Sequence, residues 1–347
     1  MEITEHTFMH PTGKTRYIEA GRKDAPLLIF IHGWIAVAET WLPQLSYFLS
    51  LGFRVVAPDT RGYGGSVSSS NSTFTVRDYA LEVHVADMLA LLEQLGTEKA
   101  VWIGHDWGAG IVWALAAHHP ESCVGVAGLT VPYRTLEFGR DRLVSLVNRD
   151  LYPIEKYPLG QWDYQAFHQE QPDRSASTLE KDPENTIKFL WPKSSPQGYG
   201  KPAFTAKVRE IGGFFGPADS APETDVNNTL LKDHPEILSK LVETVRKNGT
   251  RGPNAYYLNN DANKTYAENS VNGGKLKFPV LFIGAKWDLV CEPRNSRFAE
   301  PMREACDDLL EVEIEAGHWV AFEKPEETNE VIEGWLKKKL PEYWPKA

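Results

Sequence analysis

The stretch Val101-Trp102-Ile103-Gly104-His105-Asp106-Trp107-Gly108-Ala109-Gly110 decides how this chain is read. An apolar run of β character ends at Gly104, and a helical pattern starts directly after it, through Ile111, Val112, Ala114, Leu115 and Ala116. Between them, Gly104-His105-Asp106-Trp107-Gly108 has the spacing of the Gly-x-Ser-x-Gly nucleophile elbow, with aspartate in the serine position. In such a turn the central residue is strained and projected from the strand end. The flanking glycines let strand and helix approach without a Cβ clash. The following helix directs its N–H groups and positive end at whatever the side chain attacks. Read alone, Asp106 serves equally well as an ordinary helix cap. Context has to choose between the two.

Strand and helix signals alternate on either side. Leu27 to Ile31 is a continuous apolar run, as expected for a strand buried on both faces of a parallel sheet. A helix is predicted from Trp41 to Leu51, stopped by Gly52, and a strand from Arg54 to Ala57, broken at Pro58. A Gly- and Ser-rich loop runs from Arg61 to Ser72. Val76 to Leu95 has apolar residues at helical spacing and ends at Gly96. Further strands are predicted over Ala100 to Ile103 and Val124 to Leu129. This alternation means parallel crossovers and an α/β fold with a mostly parallel, doubly wound sheet.

The character changes at about Arg134. Up to about Lys275 strand signals disappear, while aromatic residues, prolines and short helical patterns accumulate. Trp162, Tyr164, Phe167, Trp191, Tyr256 and Tyr257 make this region too apolar for a disordered linker. The expectation is a mainly helical cap over 134–275, inserted between core segments 1–133 and 276–347. Lys193 to Glu223, rich in Pro, Gly and Ser, is the kind of long irregular stretch that serves as a lid. After it, Val280 to Ile283 and Leu309 to Ile314 read as strands and Val331 to Leu340 as an amphipathic helix.

Bulk properties limit the function. The chain has 347 residues, 42% of them hydrophobic and 24% charged, with a net charge of -10. That balance is ordinary for a globular protein and argues against nucleic acid or anionic membrane as a partner. Cys123, Cys291 and Cys306 form no Cys-x-x-Cys pair, so neither a disulfide framework nor a zinc site is predicted. No His/Asp cluster at metal-ligand spacing appears either, and no metal or other cofactor is expected. The N-terminus lacks a signal-peptide pattern, no apolar run approaches spanning length, and the C-terminus is not a peroxisomal address. A cytoplasmic enzyme is the plain expectation.

Two further groups stand where a catalytic triad needs them. Asp288 follows the Val280–Ile283 strand, and His318 follows the Leu309–Ile314 strand. The order nucleophile, acid, histidine is that of α/β-hydrolases, with every member at the carboxyl end of a strand. Separately, Asp288 reads as a cap and His318 as a surface histidine; in this order, with Asp106, they read as a triad. Glu292 competes for the acid role. Asp288 is preferred because it follows its strand more directly and its short side chain suits a fixed bond to the imidazole. The nucleophile type then selects the reaction. Serine attacking saturated carbon would leave an ether, which activated water cannot cleave. Aspartate leaves an alkyl ester, which water can cleave at the Asp carbonyl carbon. Asp106 therefore points to displacement at sp3 carbon, in an epoxide or an alkyl halide.

Along nearly its whole length the chain resembles the soluble epoxide hydrolases of the α/β-hydrolase superfamily. The core of the resemblance is His32-Gly33-Trp34, Asp59-Thr60-Arg61-Gly62-Tyr63-Gly64, the elbow, Gly317-His318-Trp319 and Glu323-Lys324-Pro325. Haloalkane dehalogenases share these motifs. More specific are two stretches of the middle region. Trp162-Asp163-Tyr164-Gln165 with Gln169-Glu170 is similar to the family's first lid-tyrosine segment. Arg251-Gly252-Pro253-Asn254-Ala255-Tyr256-Tyr257-Leu258-Asn259 is similar to its second. The match implies Tyr164 and Tyr257 as donors to the epoxide oxygen, with Tyr256 where the family usually has Trp. It also implies an oxyanion hole from the Trp34 and Trp107 N–H groups. One departure is Ile35, which replaces a proline whose bond is typically cis; a non-proline cis bond would cost about 3 kcal/mol.

The resemblance further implies a small-molecule epoxide and water as reactants, no cofactor, no nucleic acid or membrane, and a monomer or homodimer. The 193–223 stretch is expected to shape the tunnel entrance. Because the hydrolase motifs begin almost at the start, no fused N-terminal phosphatase domain is expected. A dehalogenase is the nearest alternative, with Trp107 gripping halide, although dehalogenases usually have Asn at the position of Trp34. A catalytically silent binding protein is the alternative of another class.

Overall fold

Continuous apolar runs become the inner strands of one sheet. The computed structural model describes residues 2–68, 74–294 and 296–346. Its strands are β1 (Thr4–His10), β2 (Gly13–Ala20), β3 (Leu27–Ile31), β4 (Arg54–Pro58), β5 (Val67–Ser68), β6 (Ala100–His105), β7 (Cys123–Leu129), β8 (Leu276–Ala285) and β9 (Cys306–Ile314). They form a nine-stranded sheet in the order β1-β2-β4-β3-β6-β7-β8-β9, with β5 paired to β2. From β4 to β9 along that order every pairing is parallel. The β1, β2 and β5 pairings are antiparallel, at one edge.

Strand periodicity sorts side chains onto two faces. Leu28 and Phe30 of β3 pack with Leu45 and Phe48 of α1 (Leu42–Ser50) and with Ile332 and Trp335 of the helix Pro325–Lys339. Leu27, Ile29 and Ile31 point the other way, toward Val85 and Met88 of α2 (Leu81–Gln94) and Val112 and Leu115 of α3 (Trp107–His118). Each of these buried aliphatic side chains stabilises the fold by about 1.5–3 kcal/mol relative to exposure. From β3 the chain crosses to β4 on one side and later to β6 on the other. The carboxyl ends of β3 and β6 thus border a topological switch point, where open α/β sheets hold ligands.

Between β7 and β8 the chain forms the helices Gly139–Ser145, Asp163–Glu170, Pro172–Lys181, Pro183–Leu190, Pro235–Asn248, Arg251–Asn254 and Asn260–Glu268, with short 3-10 turns between them. Pro172, Pro183 and Pro235 open three of them, where a missing N–H costs nothing. The Asp182 side chain caps one by accepting from the Asn185 N–H at 3.1 Å. Among the described residues of this stretch, extended pairing is limited to an isolated bridge between Pro192 and Thr229.

The strands read from the sequence stand where expected, with β8, β9 and the last helix starting earlier than their apolar cores. Three differences have physical causes. The helix expected from Val76 divides: Ala80 is extended (φ -72°, ψ 152°), and α2 starts at Leu81. There the Leu81 N–H donates to Asn263 Oδ1 at 2.9 Å, a partner no local pattern reveals. Secondly, the β1–β2 hairpin has no counterpart in the sequence reading. β1 is an edge strand with mostly exposed side chains, including Met9, so it carries no apolar run. Thirdly, Val67–Ser68 of the expected 61–72 loop is a short strand; residues 69–72 lie outside the described residues.

Candidate active site

β6 ends at His105 and α3 begins at Trp107, which leaves Asp106 alone in the turn at φ 54° and ψ -122°. This left-handed backbone is costly for an aspartate and is held by what surrounds it. A Cβ on Gly104 would lie 2.2 Å from the Gly108 carbonyl oxygen, and one on Gly108 2.1 Å from that of Ile31. Strand and helix pack this closely only with glycine at both places. Asp106 occupies the cap position of α3, yet its side chain makes no capping bond there. Instead Oδ1 accepts from the Trp34 N–H at 2.8 Å. Gly33 leaves room for that carboxylate, since a Cβ at Gly33 would sit 2.4 Å from Asp106 Oδ1.

The acid and the histidine arrive from β8 and β9, beyond β7. His318 Nδ1 lies 2.7 Å from Asp288 Oδ2, and His318 Nε2 lies 3.7 Å from Asp106 Oδ2. The other Asp288 oxygen accepts from the Val290 and Cys291 N–H groups at 2.9 and 3.0 Å. Asp288 therefore faces the imidazole with its direction fixed. Glu292, the competing acid, accepts from the Arg294 N–H. His105, beside the elbow, lies with Nε2 2.7 Å from the His318 carbonyl oxygen and ties the two loops together.

Charge and burial oppose each other within this group. Burial would lower the His318 imidazole, but the Asp288 charge and hydrogen bond, with Asp106 beyond, carry it up to about 9. Burial pushes the Asp106 carboxyl above its ordinary value, against the pull of the His318 charge and of the Trp107 and Trp34 N–H groups. For Asp288 burial acts upward too, but the His318 charge and hydrogen bond, with the Cys291 and Val290 N–H groups, bring it below its ordinary value. His318 thus stands between two carboxyl groups, and the charge and hydrogen bond of Asp288 favour its protonated form.

Asp106 and His318 open into a cavity of about 360 Å³, also lined by Tyr164, Tyr257, Trp34 and Cys291. The Tyr164 and Tyr257 rings meet edge to face with centroids 5.4 Å apart. Burial pushes both phenols well above their ordinary range, so both keep their protons at neutral pH. Tyr256 does not line this cavity; its hydroxyl donates to the Arg61 carbonyl at 2.9 Å and meets the Thr60 hydroxyl at 3.1 Å. The 193–223 stretch contributes Lys193, Ser194, Phe204 and Phe214, among others, to the same cavity. The peptide bonds of the described residues are all trans, including the one before Ile35. Motif reading gave Cys291, three residues after Asp288, no place in this cavity, and Phe189 and Phe214 were missed with it. The Cys291 thiol, Asp288 and His318 bring ligand-type atoms within 4.8 Å of one another, although Asp288 and His318 already bond each other.

With this geometry in place, comparison with known proteins gives the class. The alpha/beta hydrolase fold family model matches residues 26–325, and the chain belongs to that family. Among its relatives, the bifunctional epoxide hydrolase 2 of Sus scrofa is 30% identical over 334 residues, covering 96% of this chain and 55% of the relative. The chain thus spans about half the length of the curated relatives it first matches, with 54% for the protein of the same name from Mus musculus. Epoxide hydrolase A of Mycobacterium tuberculosis is 29% identical, with 92% of each chain covered. The crystal structure of epoxide hydrolase A from Mycobacterium thermoresistibile superposes with a TM-score of 0.76 at 27% identity, covering 97% of this chain and 98% of that one.

Proposed function

We propose that this chain is an epoxide hydrolase that converts a small epoxide and water into a vicinal diol through a covalent ester on Asp106. A single observation carries the reading: the Asp106 carboxylate and the phenols of Tyr164 and Tyr257 line one cavity. A nucleophile for carbon and two protonated donors for a departing oxygen are the groups that ring opening needs. The relatives named above as epoxide hydrolases support the same reading.

In the first step an Asp106 oxygen attacks an epoxide carbon and the C–O bond of the ring breaks. The oxygen gathers negative charge, takes hydrogen bonds from Tyr164 and Tyr257, and receives the proton that the His318 imidazolium gives up, relayed through solvent. Esterification removes the Asp106 charge that helped to raise His318, so the imidazole releases its proton more readily. In the second step neutral His318, oriented by Asp288, takes a proton from water, and the hydroxide attacks the ester carbonyl carbon. The Trp34 and Trp107 N–H groups hold the resulting oxyanion. Collapse expels the alkoxide, which takes the proton of the newly formed Asp106 carboxyl, so that the diol is complete and the carboxylate and the His318 imidazolium are restored. No metal or other cofactor enters either step. The helical stretch 134–275 acts as the cap that brings the phenols to the core segments 1–133 and 276–347.

A single turnover in ¹⁸O-water with excess protein tests the covalent route. The diol from that turnover should carry no label, which appears instead in Asp106. Label in the first diol would mean direct attack by water. No helix among the described residues is long and apolar enough to cross a membrane, and Cys123, Cys291 and Cys306 are free and buried. The unpaired thiols support a reducing compartment, and we place the enzyme in the cytoplasm, acting on a small molecule as a monomer or homodimer without nucleic acid or membrane partners.

A further inference from the structure

Trp34 uses both of its N–H groups. The backbone N–H donates to Asp106 Oδ1 at 2.8 Å, and the indole N–H donates to Asn254 Oδ1 at 3.0 Å. Because an indole nitrogen can only donate, the Asn254 oxygen must face Trp34 and its NH2 must face away. That NH2 donates to Ser175 Oγ at 3.3 Å. Ser175 Oγ lies 2.7 Å from His168 Nδ1. Ser175 Oγ thus bridges the Asn254 amide and His168 Nδ1, which holds the imidazole plane in place. Burial takes the ring down to about 3, so it stays neutral at working pH.

The fixed ring lies against the lid tyrosine. His168 and Tyr257 stack with centroids 4.6 Å apart and 1° between planes. His168 also meets Tyr164 edge-on at 6.1 Å, and Trp34 meets Tyr257 edge-on at 5.9 Å. We propose that Asn254, Ser175 and His168 are positioning residues that couple the oxyanion loop at Trp34 to Tyr257 and set the Tyr257 phenol for ring opening. None of the three lines the cavity, so contact with substrate does not account for a role in the reaction. Asn254 lies in the helical turn just before Tyr257. Tyr257 is therefore held through its own backbone segment on one side and by the stacked imidazole on the other. From the Trp34 indole to the His168 ring the coupling passes through side chains.

The proposal rests on Tyr257 acting as a donor to the epoxide oxygen, and the test separates the two claims. Rapid-quench single turnovers with styrene oxide would resolve epoxide loss (ring opening) from diol release (ester hydrolysis). Ser175→Ala should slow ring opening about 10-fold while leaving ester hydrolysis unchanged, and Ser175→Thr should restore it. In a Tyr257→Phe background Ser175→Ala should cause no further loss. Asn254→Leu removes the same link from its other side and should behave alike, which covers the case of a Ser175→Ala protein that does not fold. Equal slowing of both steps, or an undiminished effect in the Tyr257→Phe background, would overturn the chain and leave the donor role of Tyr257 standing. Ring opening unaffected by Tyr257→Phe itself would overturn the donor role and the chain with it.

Discussion

The sheet side and the helical side of the active site are built by different means. On the sheet side Asp106, Asp288 and His318 each leave the carboxyl end of a parallel strand, so their spacing is set by backbone pairing and tight glycine turns. On the helical side Tyr164 and Tyr257 come from separate short elements with no shared ladder, and aromatic stacking and a run of side-chain hydrogen bonds hold them. The first arrangement is rigid because the fold itself would have to change to move it. The second depends on individual side chains, each worth about 1 kcal/mol. Substitutions on the sheet side should therefore abolish a chemical step, and those on the helical side should retune one.

The largest expected effect is at the elbow. Asp106→Ala should lower diol formation by at least about 10⁴-fold, with the protein still folded by circular dichroism. Substantial residual turnover would show that the carboxylate is not the attacking group. Next is Asp288→Asn, which removes the main charge raising His318. The imidazole value should fall from about 9, and hydrolysis of the ester should slow by about 10²–10⁴-fold while its formation persists. Intermediate accumulation seen by rapid quench would sharpen the division of labour; equal slowing of both steps would blur it.

Smaller effects are expected across the cavity. Tyr164→Phe and Tyr257→Phe should each slow ring opening by about 10²-fold and leave the hydrolytic step alone. Stopped-flow measurement of the alkylation phase decides this, and halide release from a chloroalkane by an otherwise undisturbed variant would favour the dehalogenase reading. The smallest effect concerns stability. His318 holds its proton up to about 9 when folded, against 6.5 as its ordinary value. The folded protein thus binds more protons than the unfolded chain between these values, so stability falls as pH rises through that window. Urea unfolding at a series of pH values should show this slope, and His318→Gln should flatten it.

The same contrast explains what could be read from sequence. Leu27–Ile31 and Ala100–Ile103 announce themselves because strands buried on both faces need unbroken apolar residues. Asp288 follows such a run, Val280–Ile283, and His318 follows the alternating Leu309–Ile314 strand, so their place at the carboxyl ends of strands was legible. The turn around Asp106 was legible too, because the close approach of β6 and α3 requires glycines at fixed places. On the helical side Tyr164 and Tyr257, which line the cavity, were singled out by resemblance and not by pattern. Tyr256 and Tyr257 are neighbours of the same type, and the direction of one short turn decides which of them reaches the cavity. The chain from Asn254 through Ser175 to His168 had no local signal, since its partners are 79 and 7 residues apart. The break at Ala80 was hidden for the same reason, with Asn263 182 residues from Leu81. β1 carries mostly exposed side chains, and β2, though largely buried, includes Lys14, Thr15, Arg16 and Glu19, so neither left an apolar run.

The central claim is the covalent bond to Asp106. His318→Gln protein, mixed with styrene oxide and quenched, should gain the mass of one epoxide in its intact-mass spectrum. Peptide mapping should place that mass on Asp106. An unmodified protein that still forms diol, or an adduct on any other residue, would contradict the account.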